Sequence, residues 1–177
     1  KKLFFWYAHG STPWYVRVAL WMSDGAFSPN PSSLRLSSPK IHYVGHGIDT
    51  ELFSPDASIP RESVFRTIGR ITPKKRLEST LEILGELYKQ DSELTWRYEI
   101  IGPSLGETEY VERLQAIARE LSIDDRVIIR SEGVPYKDLP NLYRSCAAFL
   151  STSDTGSMDK AVLEALACGT IVFASGE

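Results

Sequence analysis

A cluster of four cations lies in the segment GRITPKKRLEST, residues 69–80. Its members are Arg70, Lys74, Lys75 and Arg76. Adjacent cations repel one another, so a segment that gathers them favours an anionic partner. Lysine and arginine form strong charge-assisted hydrogen bonds with phosphate. The segment is therefore a candidate site for a phosphate or diphosphate group.

The predicted local structure supports this interpretation. A strand is predicted to end at Gly69, Thr72 to cap the next helix, and Pro73 to be the first residue of that helix. Three of the cations would then lie in the first helical turn, where the helix dipole disfavours positive charge by about 0.3–1 kcal/mol per group. A bound anion would reverse this balance. The alternative is a solvated basic turn whose charge Glu78 and Glu82 offset along the helix.

A second candidate is Glu164, a carboxylate in the otherwise apolar stretch VLEALACGT. Residues 156–170 are predicted to run from a loop into a helix that faces a core. A carboxylate is rarely buried without a partner. Glu164 is therefore either a group that binds a ligand, or a side chain turned to solvent or paired with Lys160 four residues earlier.

The elements that position these residues follow from two alternating periods. Five short apolar runs are predicted strands: residues 63–69, 97–102, 126–130, 147–151 and 170–175. Two helical stripes lie between them: Leu77, Leu81, Leu84 and Tyr88, and then Leu114, Ile117, Ala118 and Leu121. Such alternation predicts an α/β fold, a doubly wound parallel sheet with helices on both faces. Ligands bind at the carboxyl ends of the strands in these sheets.

The first 45 residues have a different pattern. Two apolar strands, LFFWYAH and KIHYVGH, flank a helix that begins at Thr12-Pro13. Trp14, Val18 and Trp21 share one face of that helix, which we predict to face a core, with a membrane-contacting stripe as the alternative. Residues 47–63 carry turn formers without periodicity and are predicted to link two lobes. The chain opens and stops beside predicted strands and has no initiator methionine, so we expect a piece of a longer protein.

Composition excludes several classes of function. The chain has 177 residues, 42% of them hydrophobic and 24% charged, with a net charge of −3; this is typical of a soluble globular protein and gives no basic field for nucleic acid. Cys146 and Cys168 stand in apolar settings, which favours reduced core residues over a disulfide or metal pair and indicates a cytoplasmic protein. Neither a P-loop nor an Asp-x-Asp triplet occurs. The stretch GHGIDT lacks the third glycine of a dinucleotide site, so an NAD-dependent enzyme is a weak alternative.

Four stretches together resemble one family. In order they are VGHGIDTELFSP, GRITPKKRLE, EGVPYKDLPNLYRSCAAFLSTS and VLEALACGTIVFAS. They are similar to the carboxyl-terminal, donor-binding half of retaining nucleotide-sugar glycosyltransferases with two Rossmann-like domains, the GT-B enzymes of group 1 or family 4. The resemblance implies three parts: a remnant of the acceptor-side domain in residues 1–45, a linker in 46–62, and a nucleotide-sugar-binding Rossmann-like domain, truncated at its carboxyl end, in 63–177.

The resemblance also implies roles for residues. Arg70 and Lys75, in the G-R-x4-K pattern that begins at Gly69, would hold the donor diphosphate, and Glu164 would hold the ribose hydroxyls. The matching loop for reading the nucleobase is Val134, Pro135 and Tyr136. For Tyr136, simple packing within that loop is an open alternative. His9 either matches a donor-side histidine of the first domain or is a histidine satisfied at the end of a strand.

The sequence departs from the family at the start of the helix that carries Glu164. A first glutamate, expected eight positions earlier, is replaced by Gly156, and the usual Gly-Phe-Gly reads Ser157-Met158-Asp159. The glycine would let the amides of Ser157 and Met158 approach a phosphate or sugar oxygen. Asp159 either replaces the missing carboxylate as a ligand of the donor sugar or is a first-turn charge that favours the helix dipole.

The family implies transfer of a sugar, with retention, from a UDP- or GDP-sugar to a hydroxyl of a glycan or glycolipid acceptor in bacterial synthesis. We expect no cofactor, no metal site and no nucleic-acid partner. The full-length protein is expected in the cytoplasm, where peripheral membrane association is compatible with such an acceptor. Since residues 1–45 are too few for a first domain, this chain alone is expected to be inactive. The alternative function is a non-catalytic or fragmentary nucleotide-sugar-binding module.

Overall fold

The computed structural model describes residues 1–153 and 159–175, and the chain forms two compact units that divide between Gly47 and Ile48. The first unit is a three-stranded parallel sheet in the order β1-β2-β3. Its elements are β1 (Phe4–Trp6), α1 (Trp14–Met22), β2 (Gly25–Ser28) and β3 (Ile41–Tyr43). Both predicted strands and the predicted helix are present, whereas β2 was not predicted.

The face of α1 that packs on the sheet is not the predicted one. Val16 and Leu20 are buried, whereas Trp14, Val18 and Trp21 are 74%, 42% and 80% exposed. The prediction of a core face for these three residues is therefore wrong. Nearly every residue of the helix is apolar, so its periodicity did not single out one face.

The second unit is a five-stranded parallel sheet in the order β6-β5-β4-β7-β8. Its strands are β4 (Val64–Ile68), β5 (Arg97–Ile101), β6 (Val127–Arg130), β7 (Ala148–Ser151) and β8 (Ile171–Ala174). Its helices are α2 (Leu77–Gln90), α3 (Thr108–Glu120), α4 (Leu139–Ser145) and α5 (Lys160–Ala167). All five predicted strands are confirmed, as are the helices of both stripes and the helix that carries Glu164.

Two apolar clusters cover the two faces of this sheet, which confirms the doubly wound α/β fold. Helices α2 and α3 supply one cluster, with Leu81 and Leu114 fully buried. Helices α4 and α5 supply the other, which includes Tyr143 and the fully buried Phe53. Phe53 comes from the predicted linker, residues 46–62, and in the structure the part of this segment from Ile48 onward belongs to the second unit.

A buried ion cluster crosses the centre of the same sheet. Arg66 of β4 and Glu99 of β5 are paired in register, and the Nε–Oε2 distance between them is 2.6 Å. Arg130 of β6 contacts the other oxygen of Glu99 at 2.9 Å. Arg66 also donates to the carbonyl oxygen of Leu142 at 2.8 Å and to the hydroxyl of Ser145 at 2.7 Å. These contacts tie α4 to the middle of the sheet.

Candidate functional site

The strand order places a crevice between β4 and β7. From β4 the chain continues through α2 to β5 on one side, and the later strands β7 and β8 lie on the other side. In open α/β sheets, ligands bind at such a reversal, outside the carboxyl ends of the strands. The loop with the predicted cation cluster follows β4, and the start of α5 follows β7. Two predicted site segments, distant in sequence, therefore meet at one point of the sheet.

The loop after β4 differs from its prediction. Pro73–Lys75 form a single 3₁₀ turn, Arg76 has a left-handed backbone with φ of 47°, and α2 begins only at Leu77. The prediction that Pro73 starts the helix is therefore wrong, and the cations lie before α2 rather than in its first turn. Thr72 makes no side-chain capping bond.

Thr152, the residue after β7, contacts the end of this turn. Its hydroxyl lies 3.1 Å from the carbonyl oxygen of Lys75 and 2.8 Å from that of Arg76. The loop is thereby attached to the end of β7, on the far side of the crevice.

Of the two predicted diphosphate ligands, Lys75 lies most clearly at the crevice. Its ammonium group reaches back to Gly69, so that a Cβ placed on Gly69 would lie 3.6 Å from the Lys75 Nζ. The side chain is only 16% exposed and forms an ion pair with Asp159. Arg70, directly after Gly69, is exposed. The structure thus brings Gly69, Lys75 and Asp159 together and leaves Arg70 at the rim.

A close backbone approach fixes the position of Gly69. A Cβ on Gly102, at the end of β5, would lie 2.1 Å from the carbonyl oxygen of Gly69. Gly69 also donates its backbone N–H to Ile101 at 2.9 Å. Both glycines have φ of 148°, a conformation that residues with a side chain rarely adopt. The residue that precedes Arg70 is consequently held by the neighbouring strand.

Asp159 is the N-cap residue of α5. One of its oxygens, Oδ1, accepts from the backbone N–H of Ala161 at 3.3 Å, and Oδ2 contacts the Lys75 ammonium and lies 3.5 Å from the Ser151 hydroxyl. The expected electrostatic role at the helix start is compatible with this position, and the role as a ligand of the donor sugar stays a prediction. Gly156, Ser157 and Met158, also predicted at this site, lie outside the described residues.

Glu164 is buried, with 5% of its surface exposed. The hydroxyl of Tyr143 in α4 donates to its Oε2 at 3.1 Å, and the Lys160 ammonium lies 3.4 Å from Oε1. Burial and the nearby charge of Glu164 raise the pKa of Tyr143, so the hydroxyl stays protonated and serves as a donor. The alternative of a solvent-turned Glu164 is wrong, and the pairing with Lys160 is present. Its role toward ribose stays a prediction.

The loop predicted to read a nucleobase adjoins this carboxylate. Val134 packs on the cluster of α4 and α5, Pro135 is exposed, and the ring of Tyr136 packs edge-on against Phe53 at 5.2 Å. The Lys160 ammonium lies 5.1 Å above the Tyr136 ring and 3.4 Å from its hydroxyl. Lys160 therefore connects the loop to Glu164, whereas packing of Tyr136 against Phe53 matches the alternative left open for that residue.

Three residues of this site were not predicted as part of it: Tyr143, Thr152 and Lys160. The spacing of four residues between Lys160 and Glu164 is a sequence signal for this pair, and it predicts Lys160 as an alternative partner of Glu164 rather than as a site residue. The other two carried no local signal, because their contacts join elements that meet only once the sheet has formed. His9 lies in the first unit, where its Nδ1 contacts the Ser11 hydroxyl at 2.9 Å; its donor-side role stays a prediction.

Other predicted features have simpler outcomes. Cys146 and Cys168 are buried free thiols, and burial raises the pKa of both. Within residues 1–153 and 159–175, no group of three or more His, Cys, Asp or Glu residues is placed to hold a metal ion. No helix in this described part of the chain is both long and apolar enough to cross a membrane.

Comparison with known proteins shows which protein family this chain resembles. The family model described as "Glycosyl transferases group 1" matches residues 49–176. The D-inositol 3-phosphate glycosyltransferase of Kribbella flavida is 30% identical over 148 residues, which are 77% of this chain and 35% of that protein. The enzyme of the same name from Saccharomonospora viridis is 32% identical over 149 residues, 76% of this chain and 34% of that protein. The chain thus spans about a third of the length of these curated relatives.

Solved structures share the fold. Anabaena HepE in complex with UDP and glucose has a TM-score of 0.81 at 18% identity, over 98% of this chain and 53% of that chain. The C-terminal domain of the group 1 glycosyl transferase family protein LpcC from Francisella tularensis has a TM-score of 0.61 at 21% identity, over 72% of this chain and 70% of that chain. At these identities the likeness establishes a Rossmann-like α/β fold and no more.

Proposed function

The chain belongs to the group 1 glycosyltransferase family, and we propose that it is the donor-binding half of an enzyme that transfers a sugar from a nucleoside-diphosphate sugar to a hydroxyl group with retention. The observation that carries the proposal is the ion pair of Lys75 with Asp159, which joins the loop after β4 to the start of α5, the helix that carries the buried Glu164. In this proposal the cation binds the diphosphate and the buried carboxylate binds the ribose.

The proposed chemistry centres on departure of the diphosphate. Negative charge grows on its oxygens as the glycosidic bond breaks, and a fixed ammonium near that position stabilises the transition state more than the ground state. Lys75 would supply this ammonium, and its position beside Gly69 at the end of β4 supports that role. Arg70 at the rim would contact the same group from the solvent side. Each charge-assisted contact contributes about 1.5–3 kcal/mol.

The nucleoside would bind on the α5 side of the crevice. Glu164 has one oxygen fixed by the buried Tyr143 and the other paired with Lys160, whose side chain is 47% exposed. Displacement of Lys160 would free that oxygen to accept from a ribose hydroxyl. Val134 and Pro135 offer backbone groups, and Tyr136 a ring, on the adjoining loop for the base.

We propose a UDP- or GDP-sugar as the donor, bound without a metal or a cofactor. Two similar structures, Anabaena HepE and Staphylococcus aureus TarM, contain UDP, which supports UDP as the first donor to test. We further propose a glycan or glycolipid acceptor in bacterial synthesis, with the full-length protein in the cytoplasm and peripheral contact with a membrane. This chain alone would bind the donor without turnover.

Thermal unfolding with a panel of ligands tests the proposal. UDP, GDP, ADP and NAD are each added to the chain, with and without EDTA. We expect one of the nucleoside diphosphates to raise the midpoint temperature of unfolding, and to raise it equally when EDTA is present. We expect NAD not to raise it. A rise that EDTA abolishes would contradict the metal-free site, and a rise with NAD alone would overturn the proposed function. Turnover by a full-length protein separates an enzyme from a binding module.

The role of Glu164 gives a separate prediction. Glu164→Gln keeps the shape and an acceptor for Tyr143 but removes the charge, so affinity for the ribonucleoside diphosphate is expected to fall by about 1–2 kcal/mol. The 2′,3′-dideoxy analogue lacks the ribose hydroxyls, so the chain with and without Glu164→Gln is expected to bind this analogue with the same affinity. Isothermal titration calorimetry measures both.

The matched control for this prediction is Glu112→Gln on the exposed side of α3. It makes the same chemical change away from the crevice and is expected to alter neither affinity. Equal weakening of both ligands by Glu164→Gln would show that Glu164 supports the fold of the site rather than the ribose.

A further inference from the structure

We propose that Asp159 sets the charge selectivity of the crevice, favouring a nucleotide sugar over the free nucleoside diphosphate that remains after transfer. The proposal rests on the proposed function of the site and goes beyond it, because it assigns a role to a residue that does not need to contact the ligand. Its basis is the ion pair between Asp159 and Lys75, in which each side chain is only 16% exposed.

The carboxylate of Asp159 is held in place. Asp159 is the N-cap of α5, and its Oδ1 accepts from the backbone N–H of Ala161. Its Oδ2 contacts the Lys75 ammonium and lies close to the hydroxyl of Ser151. An aspartate side chain is short, so it cannot leave Lys75 by a large distance without losing the cap. Any anion that binds the Lys75 ammonium will therefore lie next to a fixed negative charge.

This arrangement has two electrostatic consequences. Asp159 cancels part of the attraction that Lys75 would exert on a diphosphate, so it weakens the binding of every anionic ligand. It also discriminates between ligands by charge. A terminal phosphate ionises a second time with a pKa of about 6, as phosphomonoesters do, whereas a phosphate esterified to a sugar lacks that second ionisation. The free diphosphate therefore carries close to one more negative charge at neutral pH.

The extra charge belongs to the phosphate that has lost the sugar. Coulomb repulsion falls off with distance and is stronger in a partly buried site than in water. The penalty from Asp159 therefore falls more heavily on the product nucleoside diphosphate than on the nucleotide-sugar donor. In a group-transfer enzyme this difference promotes release of the product and limits inhibition by it.

The alternative expected from the sequence, that Asp159 is a ligand of the donor sugar, makes the opposite prediction. Removal of the charge would then lower the affinity for the nucleotide sugar and leave the affinity for the free diphosphate unchanged. The sign of the effect on each ligand separates the two roles.

Calorimetric titration of Asp159→Asn with UDP and with UDP-glucose, and with GDP and GDP-mannose, tests the proposal. Asparagine caps helices as well as aspartate does, so α5 is retained. We expect the variant to bind the free diphosphate about fivefold to tenfold more tightly and the nucleotide sugar about twofold more tightly, with both gains smaller in 0.5 M NaCl because of screening. Asp159→Ser, another neutral N-cap, is expected to behave alike and replaces the first variant where that one does not fold.

The matched control is Asp91→Asn. Asp91 ends α2 before β5, at the opposite end of the sheet, and accepts from the backbone N–H groups of Glu93 and Leu94 at 3.1 and 3.2 Å. The substitution makes the same change in net charge at an aspartate that also accepts from backbone N–H groups, and it is expected to alter neither affinity.

Each outcome of the titrations supports or overturns the role of Asp159 in charge selectivity. Equal tightening of both ligands, or no change, would overturn the charge selectivity while leaving the proposed donor site intact. Weaker binding of the nucleotide sugar alone would identify Asp159 as a sugar ligand instead. Failure of the unaltered chain to bind any of the four probes would overturn the proposed function, and the inference with it.

Discussion

Glu99→Gln is expected to lower the free energy of unfolding by about 3–5 kcal/mol, since removing one partner of a buried ion pair leaves the other charge without compensation. Arg66 and Glu99 are each 5% exposed. Glutamine would keep the volume and one acceptor, but the guanidinium of Arg66 would lose its nearest counter-charge in the centre of the sheet. Its contacts with Leu142 and Ser145 are neutral, and its other carboxylate contact, with the half-exposed Glu62, is longer at 3.6 Å and is weakened by solvent. Urea-induced unfolding, followed by circular dichroism, measures the change.

The control for this effect is Glu86→Gln. Glu86 pairs with Lys89 on α2, where the side chains are 63% and 60% exposed, and exposed pairs contribute about 0–1 kcal/mol. A similarly small effect of Glu99→Gln would contradict the argument. It would mean that water reaches the cluster through the half-exposed Arg130 and that the sheet tolerates a neutral partner there.

The sheet was predictable because its strands are short runs with β-branched or aromatic residues, and its three central strands, β4, β5 and β7, are mostly buried. Residues 97–102 are typical: the run is short, apolar and ends at Gly102, and the structure has a strand at Arg97–Ile101. Two elements escaped prediction for physical reasons. Strand β2 reads GAFS and has no β-branched residue. Helix α4 has seven residues with Pro140 in its first turn, too short for a helical period to be read.

Individual residues of the site could be predicted from the sequence, whereas the contacts between them could not. Charge and context predict Lys75 and Glu164; in the structure Lys75 lies at the crevice, and Glu164 is buried in α5, the helix whose N-cap residue pairs with Lys75. Lys75 and Asp159 are 84 residues apart, and Tyr143 and Glu164 are 21 apart. Their pairing depends on β7 lying beside β4, which is a property of strand order. Local patterns do not contain that order, so the ion pair and the buried hydrogen bond appear only in the structure.

The wrongly predicted helix start has a similar origin. Thr72 and Pro73 are good residues for a first helical turn, and nothing nearby in the sequence opposes them. Thr152, from another part of the chain, contacts the carbonyl oxygens of Lys75 and Arg76 and stabilises a 3₁₀ turn instead. These cations therefore do not lie in a first helical turn, where the helix dipole would disfavour them. An anion is favoured instead by the position of Lys75 at the reversal of strand order.

Lys75→Met is expected to reduce affinity for the nucleoside diphosphate by about 10–100-fold, the equivalent of one charge-assisted contact. The natural control is Lys74→Met, the same change one residue earlier, where the side chain is exposed. Its expected loss is about threefold or less, because an exposed charge acts on the ligand only through screened attraction. Arg70→Ala at the rim is expected to cost about tenfold. Calorimetric titration in low and high salt measures all three.

Lys75→Met also leaves Asp159 without its partner, and this complicates the measured loss. An unpaired carboxylate beside the ligand repels the diphosphate, so part of the loss belongs to Asp159 rather than to the missing ammonium. The double variant Lys75→Met, Asp159→Asn removes both charges, and its comparison with the two single variants gives the coupling between them. We expect the double variant to recover part of the affinity lost in Lys75→Met. Recovery to the level of the unaltered chain would show that Lys75 serves only to neutralise Asp159, and its assignment as a diphosphate ligand would be wrong.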